Sequence, residues 1–343
     1  MKKKVFLAGY VNYINAQNIN CKSLAIHLNK EKYEIRTMSL KSLPDVFIDQ
    51  VNVVKVSNNK LSIFYNYLIN ILWADVAYIP KHHSCPRSLL KIFKFLDVKF
   101  FTTIEGNMCD RKQKSMIDSF NGVENLNRYF SNIPNIYGIT RHIIKNARCG
   151  VVLNKNPLYL GVETSSFQSV KKERLKNIVF IGNLIKRKRV HEFVKLANLF
   201  PDLNFHIIGN KKDVSHYEML NESKKNIISH GQLDHKDLSI RFNNIDLLFL
   251  PSKSEGFPKV ILEAASAGIP SILYTDYGAS EWITDGVDGF LANDFNHVIE
   301  IVNQLIKSDQ LLQDVSIGAL QMSNRFDWNN LINDWENVID NLQ

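Results

Sequence analysis

The most constraining feature of this chain is an alternation. Short apolar runs rich in branched residues recur along its 343 residues, with helical segments between most of them. Lys4–Gly9 reads as one such strand, and a helical stretch is expected from about Ala16 to Asn29. Further strand-like runs stand at Tyr33–Met38, Val51–Val56, Val76–Ile79, Lys99–Ile104 and Gly150–Leu153. Strand and helix alternating in this way form βαβ units, and a sheet built from them is parallel. Leu61, Phe64, Tyr65, Leu68, Leu72 and Trp73 follow the i, i+3, i+4, i+7 spacing, so a helix that turns this face into the core is expected there.

The alternation breaks near Pro157–Phe167, where a polar stretch follows, and restarts at Asn177–Gly182. The expected order from there is helix Val190–Phe200, strands Asn204–Gly209, Ile227–His230 and Ile245–Pro251, helix Pro258–Ala267 and strand Pro270–Tyr274. Helices near Asn296–Ile306 and Trp328–Leu342 close the chain. The expectation is an α/β protein of two doubly wound Rossmann-like domains, residues 1–165 and 166–325. A C-terminal helix, 326–343, is expected to pack back on the first domain. Ligands of such sheets lie at the carboxyl ends of the strands.

Composition narrows the class. With 45% hydrophobic and 22% charged residues the chain reads as a soluble globular protein. The Met1–Lys4 start resembles the first part of a signal peptide, but the apolar run behind it is too short and lacks a cleavage site. Leu61–Ile79 is interrupted by Asn66, Asn70 and Asp75 and cannot span a bilayer. Cys21, Cys85, Cys109 and Cys149 lack metal-type spacing and read as thiols of a reducing compartment, so a cytoplasmic protein is expected. Residues 1–165 hold 23 Lys and Arg against 11 Asp and Glu, a net of +12, and the remainder carries −4. Either the first half meets an anionic partner or it is a solvated basic surface. Arg87, Lys91 and Lys94 alternate with Leu89, Leu90, Phe93 and Leu96, an amphipathic basic helix suited to an anionic membrane surface.

The segment Ser254–Gly268 carries the chemistry. It follows an apolar strand, Ile245–Pro251. Pro258 suits a first helical position, and Gly268 with Pro270 ends the helix. Glu255 thus stands just before a helix N-terminus, whose N–H groups and dipole favour a diphosphate, and Gly256 lets backbone approach a ligand. Glu263 interrupts an apolar run. It either occupies the exposed face of the helix or accepts hydrogen bonds from paired hydroxyls such as those of a ribose.

The run from Ser254 to Pro270, SEGFPKVILEAASAGIP, resembles the donor-site signature of glycosyltransferase family 4, retaining enzymes of the GT-B fold. Tyr277–Ile283 and Asp285–Leu291 resemble the family's following block, Ile181–Lys188 its phosphate-binding loop, and Pro157–Phe167 the stretch closing its first domain. The likeness is strong over about residues 177–292 and thin over 1–150. It implies two domains facing a central cleft and a hexosyl transfer from a nucleotide-sugar, UDP- or GDP-linked, with no cofactor and no metal.

Residue by residue, the resemblance gives Glu255 the donor sugar's hydroxyls, together with backbone at Gly256, Phe257 and Pro258. It gives the Lys259 and Val260 N–H groups the diphosphate, and Glu263 the ribose. Lys188 would stabilise the departing nucleotide, with Gly182 beside it. The base would lie near Gly209, Gln232 and Leu233. Asn183 stands where the family usually has Arg. Either Arg187 or Arg189 replaces that cation, or leaving-group stabilisation is weaker. Lys186–Arg189 could also be a mere exposed basic turn.

On the acceptor side the readings are Tyr10 and Asn12 in the loop after Gly9, His82 and His83 beyond a strand end, and Glu105 as a catalytic or sugar-binding carboxylate. The Asp285–Asp288 stretch reads as a Gly-containing turn in preference to a metal site. Partners implied are a nucleotide-sugar, a glycan or lipid-linked acceptor in bacterial surface polysaccharide or lipopolysaccharide synthesis, and an anionic membrane surface met at the inner face. Nucleic acid is excluded for want of a reader motif. Rival readings are a sugar-nucleotide epimerase of the same fold and a catalytically silent donor-binding subunit.

Overall fold

The structure, a computed structural model, describes residues 1–13, 15–80, 85–109, 115–183, 185–210 and 225–342. The chain forms two compact units, Met1–Gly161 with Trp328–Gln343, and Val162–Asp327.

Unit 1 is a six-stranded sheet of β1 (Lys3–Tyr10), β2 (Tyr33–Leu40), β3 (Val51–Val56), β4 (Val76–Tyr78), β5 (Phe100–Ile104) and β6 (Asn135–Gly138). Its order is β3-β2-β1-β4-β5-β6, parallel throughout. Continuous apolar runs such as Val5–Ala8 of β1, buried at every position, are what a sheet covered on both faces demands. Helices α1 (Ala16–His27), α2 (Lys60–Trp73) and α3 (Arg87–Phe95) supply three of the crossovers. The closing helix Trp328–Asn341 is fastened to this unit. Trp335 Nε1 donates to the Tyr159 carbonyl at 2.9 Å, and the buried Glu336 carboxylate accepts from the Asn29 N–H at 2.9 Å and lies 3.0 Å from Lys32 Nζ.

Unit 2 repeats the plan with β7 (Asn177–Ile181), β8 (Asn204–Ile208), β9 (Ile227–Gly231), β10 (Leu247–Leu250), β11 (Ser271–Tyr274) and β12 (Phe290–Ala292), in the order β12-β11-β10-β7-β8-β9. All pairings are parallel. The helices Val190–Leu199, His235–Phe242, Lys259–Ser266, Phe295–Lys307 and Asp309–Arg325 belong to it.

Several expectations need correction. Gly150–Leu153 is not a strand. Gly150 turns the chain at φ +91°, and the sixth strand is the four-residue Asn135–Gly138, too short to show a period. The helix α2 is turned the other way from its apolar spacing. It buries Asn66, Tyr67, Asn70 and Ile71 and leaves Leu61, Tyr65 and Leu72 exposed. The asparagines can be buried because their amides are satisfied: Asn66 donates to the Ser62 carbonyl, Asn70 to the Asn66 carbonyl, and Arg36 donates to Asn70 Oδ1. In α3 the apolar face, Leu89, Leu90 and Phe93, is core of unit 1 and is not open to lipid. Cys109 and Cys149, expected as thiols, are joined in a disulfide; Cys21 and Cys85 are free and buried.

Candidate donor site

Strand order reverses between β1 and β4 in unit 1 and between β7 and β10 in unit 2. At such a point the loops leaving the two neighbouring strands diverge and open a crevice at their carboxyl ends. In unit 2 those loops hold Gly182 to Arg189 on one side and Ser252 to Pro258 on the other.

The first loop begins with close backbone contacts that only glycine allows. Gly182 N–H donates to the Ile208 carbonyl at 2.9 Å and Gly209 N–H to the Gly231 carbonyl at 2.7 Å, linking the ends of β7, β8 and β9. A Cβ on Gly209 would lie 1.9 Å from the Gly182 oxygen. Asn183 is exposed. A single turn, Lys186–Lys188, then carries the basic cluster to β10's side. Lys253 N–H donates to the Arg187 carbonyl at 2.9 Å, and the Arg187 guanidinium donates to the Ser254 carbonyl.

The two loops meet at a charge cluster. Lys188 Nζ lies 2.6 Å from Glu255 Oε1, and Arg187 Nη1 lies 3.0 Å from the same oxygen. Lys188 and the Glu255 side chain are almost wholly buried, while Arg187 is half-exposed. Burial opposes ionisation of Glu255, but the adjacent Lys188 and Arg187 charges outweigh it and hold the carboxyl below its ordinary range. Burial lowers the Lys188 pKa, with Glu255 pulling the other way. Arg189 points elsewhere. It adopts φ +46° at the start of helix Val190–Leu199 and lays its guanidinium 5.2 Å from the centroid of the Tyr274 ring. Of the two arginines offered in place of the cation absent at Asn183, Arg187 is the one beside Glu255.

The helix Lys259–Ser266 follows, with Pro258 one position earlier than expected, as its N-cap. Phe257 packs edge-on against Trp282 at 5.0 Å and against Phe326 at 5.3 Å, which fixes the turn that carries Gly256. The N–H groups of the first turn, those of Lys259 and Val260 among them, lie at the crevice end of the helix, where the Ile261 N–H donates to the Pro258 carbonyl at 3.0 Å. Glu263 lies one turn further on, half-buried. Burial raises its pKa, with His235 and Lys259 acting against the rise.

His235 is a neighbour that sequence reasoning missed. Its Nε2 stands 4.0 Å from Glu263 Oε1 and its ring packs on Phe167 at 4.9 Å. The available signal was the capping pattern: Asp234 accepts from the Asp237 N–H at 2.8 Å and starts the helix that follows β9. Gln232, exposed, and Leu233, half-buried, occupy the short link between β9 and that helix. Asp285 and Asp288 are engaged in their turn. Asp285 Oδ1 accepts from the Leu291 N–H at 2.8 Å, and Asp288 accepts from the Thr284 N–H at 2.7 Å and from Arg325 at 3.1 Å.

In unit 1, α1 gathers two of the acceptor-side readings. Its Asn18 Oδ1 accepts from the Tyr10 N–H at 3.1 Å, and its Asn20 amide donates to Glu105 Oε1 at 3.3 Å. Tyr10 is buried, and burial, with Cys85, raises its hydroxyl pKa. The Asn12 amide braces the loop after β2, donating to the Leu40 and Pro44 carbonyls and accepting from the Leu40 N–H. His82 and His83 lie outside the described residues.

Residues 161–322 match the family model described as glycosyl transferases group 1. A 171-residue stretch is 32% identical to an uncharacterized 41.2 kDa protein in the cps region of Klebsiella pneumoniae, covering 48% of this chain and 46% of that one. Over 162 residues the chain is 25% identical to the capsular polysaccharide biosynthesis glycosyltransferase CapM of Staphylococcus aureus, covering 43% of this chain and 42% of the other. The matched stretch thus spans under half the length of either relative. The fold is similar to that of Anabaena HepE, solved in complex with UDP and glucose. The TM-score is 0.76 at 14% identity, over 99% of this chain and 100% of that one. The likeness to HepE supports the GT-B architecture of two Rossmann-like sheets.

Proposed function

We propose, taking the group 1 glycosyl transferase match over residues 161–322 as premise, that this chain is a sugar-nucleotide-dependent glycosyltransferase whose donor binds in unit 2. The observation that carries the reading is the Lys188–Glu255–Arg187 cluster, at the strand-order switch point and directly before a helix N-terminus. A nucleoside diphosphate placed there finds two cations and the first-turn N–H groups for its phosphates. Glu263 offers a carboxylate to the ribose hydroxyls, and Glu255 offers one to the sugar.

The reaction these groups serve is front-face transfer with retention. The acceptor hydroxyl oxygen bonds to the sugar's anomeric carbon as the bond to the diphosphate breaks, and a phosphate oxygen takes the hydroxyl proton. The protein orients the reactants and stabilises charge on the departing nucleotide through Lys188 and Arg187, and no metal is invoked. The capsular polysaccharide relative supports a glycan or lipid-linked acceptor in bacterial surface polysaccharide synthesis.

A thermal-shift panel of UDP, GDP, ADP and their sugars tests the reading, because a ligand that binds only the folded protein raises its melting temperature by mass action. One nucleotide series should stabilise the wild type and fail to stabilise Glu263→Ala. Release of free nucleotide diphosphate on adding an acceptor extract separates transfer from epimerisation.

A further inference from the structure

The helix α2 is built inside out, and this observation is independent of the donor site. From Leu61 to Trp73 it carries no charged residue. Its inward face holds two asparagines, Asn66 and Asn70, with Tyr67 and Ile71. Its outward face is a stripe at helical spacing: Leu61 is 84% exposed, Phe64 36%, Tyr65 60% and Leu72 51%, with Leu68 half-buried between them. The stripe from Leu61 to Leu72 runs about 16 Å along the helix. Water gains nothing from such a face, and a stripe this long on one helix marks an interaction surface.

Charge indicates what covers it. Lys60 stands at one end, and at the other Lys4 Nζ lies 5.8 Å and the Arg36 guanidinium 3.7 Å from the Trp73 ring centroid. Helix α3, packed on α2, exposes Arg87, Lys91 and Lys94 with Phe95 at 88% and Leu96 at 51%. Neither helix carries an acidic residue, and Asp75, just beyond α2, is tied to the Lys4 N–H at 2.8 Å. A second copy presenting this same face, in the basic first half of the chain, would meet it with like charge. An anionic bilayer surface offers both an apolar layer and the opposite charge. No described helix is long and apolar enough to cross a membrane, so the contact lies in the interface plane.

We propose that the Leu61–Phe64–Tyr65–Leu68–Leu72 face of α2 is a membrane-docking surface that inserts into the headgroup boundary of an anionic bilayer, flanked by Lys60, Lys4 and Arg36. Of the four tryptophans, Trp282, Trp328 and Trp335 are buried, so Trp73 beside Leu72 is a built-in depth probe.

The test is flotation of the full chain with vesicles of phosphatidylcholine containing about one-third phosphatidylglycerol, against pure phosphatidylcholine, with brominated acyl chains to quench Trp73. The wild type should float with the anionic vesicles and be quenched. Leu61→Asp/Tyr65→Asp/Leu72→Asp should lower partitioning by about tenfold or more, and the milder Tyr65→Ser/Leu72→Ser should lower it in part. Circular dichroism and nucleotide binding should be unchanged in both. The proposal is overturned by any of three results. These are no flotation at low salt, flotation without quenching or without loss in the variants, and a solution dimer that the triple variant dissolves. Nucleotide binding is read separately, so neither reading is tested through the other.

Discussion

Lys188 and Glu255, from the loops after two adjacent strands, form a buried ion pair at 2.6 Å. Removing Lys188 leaves the buried Glu255 carboxylate with only the half-exposed Arg187 as its counter-charge. Lys188→Ala should therefore abolish turnover and also lower stability by about 3 kcal/mol, the usual scale for a broken buried pair. Chemical denaturation with the nucleotide absent checks the stability loss, and single-turnover kinetics check the activity.

The pair also sets an acid limit for unit 2. Because the Glu255 carboxyl is held below its ordinary pKa, the stability it contributes is fully present above the unfolded value near 4.5. That stability is lost as pH falls through the depressed folded value. Glu263 has the opposite sign. Its raised folded pKa favours the protonated form, so its contribution is fully present below the unfolded value and declines as pH rises through the folded one. Glu263→Gln should raise the melting temperature of the unliganded protein at neutral pH while weakening nucleotide binding about tenfold. Melting curves and titration calorimetry on the same samples separate the two effects.

On the proposed reading Arg187, beside Glu255, takes the place of the cation absent at Asn183. Arg187→Ala should reduce kcat/KM by about a hundredfold, the scale of losing one charge that stabilises a leaving group. Adding Asn183→Arg to that variant should recover most of the loss, since the new guanidinium starts from the same loop. A double variant no better than Arg187→Ala alone would mean that Arg187 acts only as a tie to Ser254.

Cys109 and Cys149 close a loop across 40 residues of unit 1. On chain-entropy grounds such a link contributes about 4 kcal/mol. Reductant, or Cys109→Ser, should lower the melting transition of unit 1 and leave the nucleotide-dependent shift of unit 2 in place.

The elements of the candidate donor site were legible in the sequence because they are local. A buried strand, a Gly-containing turn with Glu255 and a helix carrying Glu263 occupy one continuous stretch, Leu247 to Ser266. What was not legible depends on pairs far apart in the chain. His235 meets Glu263 across strand β10 and its flanking loops, and Arg187 was separated from Arg189 as the cation beside Glu255 only by the left-handed turn at Arg189. The facing of α2 was misread for a different reason. Helical spacing locates an apolar stripe but does not say which side the sheet takes, and here Arg36 on β2 supplies a partner for Asn70 and lets the polar side go in. The strand Asn135–Gly138 is too short to carry any period.

A nucleotide-sugar site in unit 2 is tested most directly by titration calorimetry of UDP, GDP and ADP against the wild type, Lys188→Ala and Glu263→Ala. At least one diphosphate should bind the wild type saturably at one site, and each substitution should weaken it by about tenfold or more. Absence of binding by all three, or affinities unchanged in both variants, would contradict it.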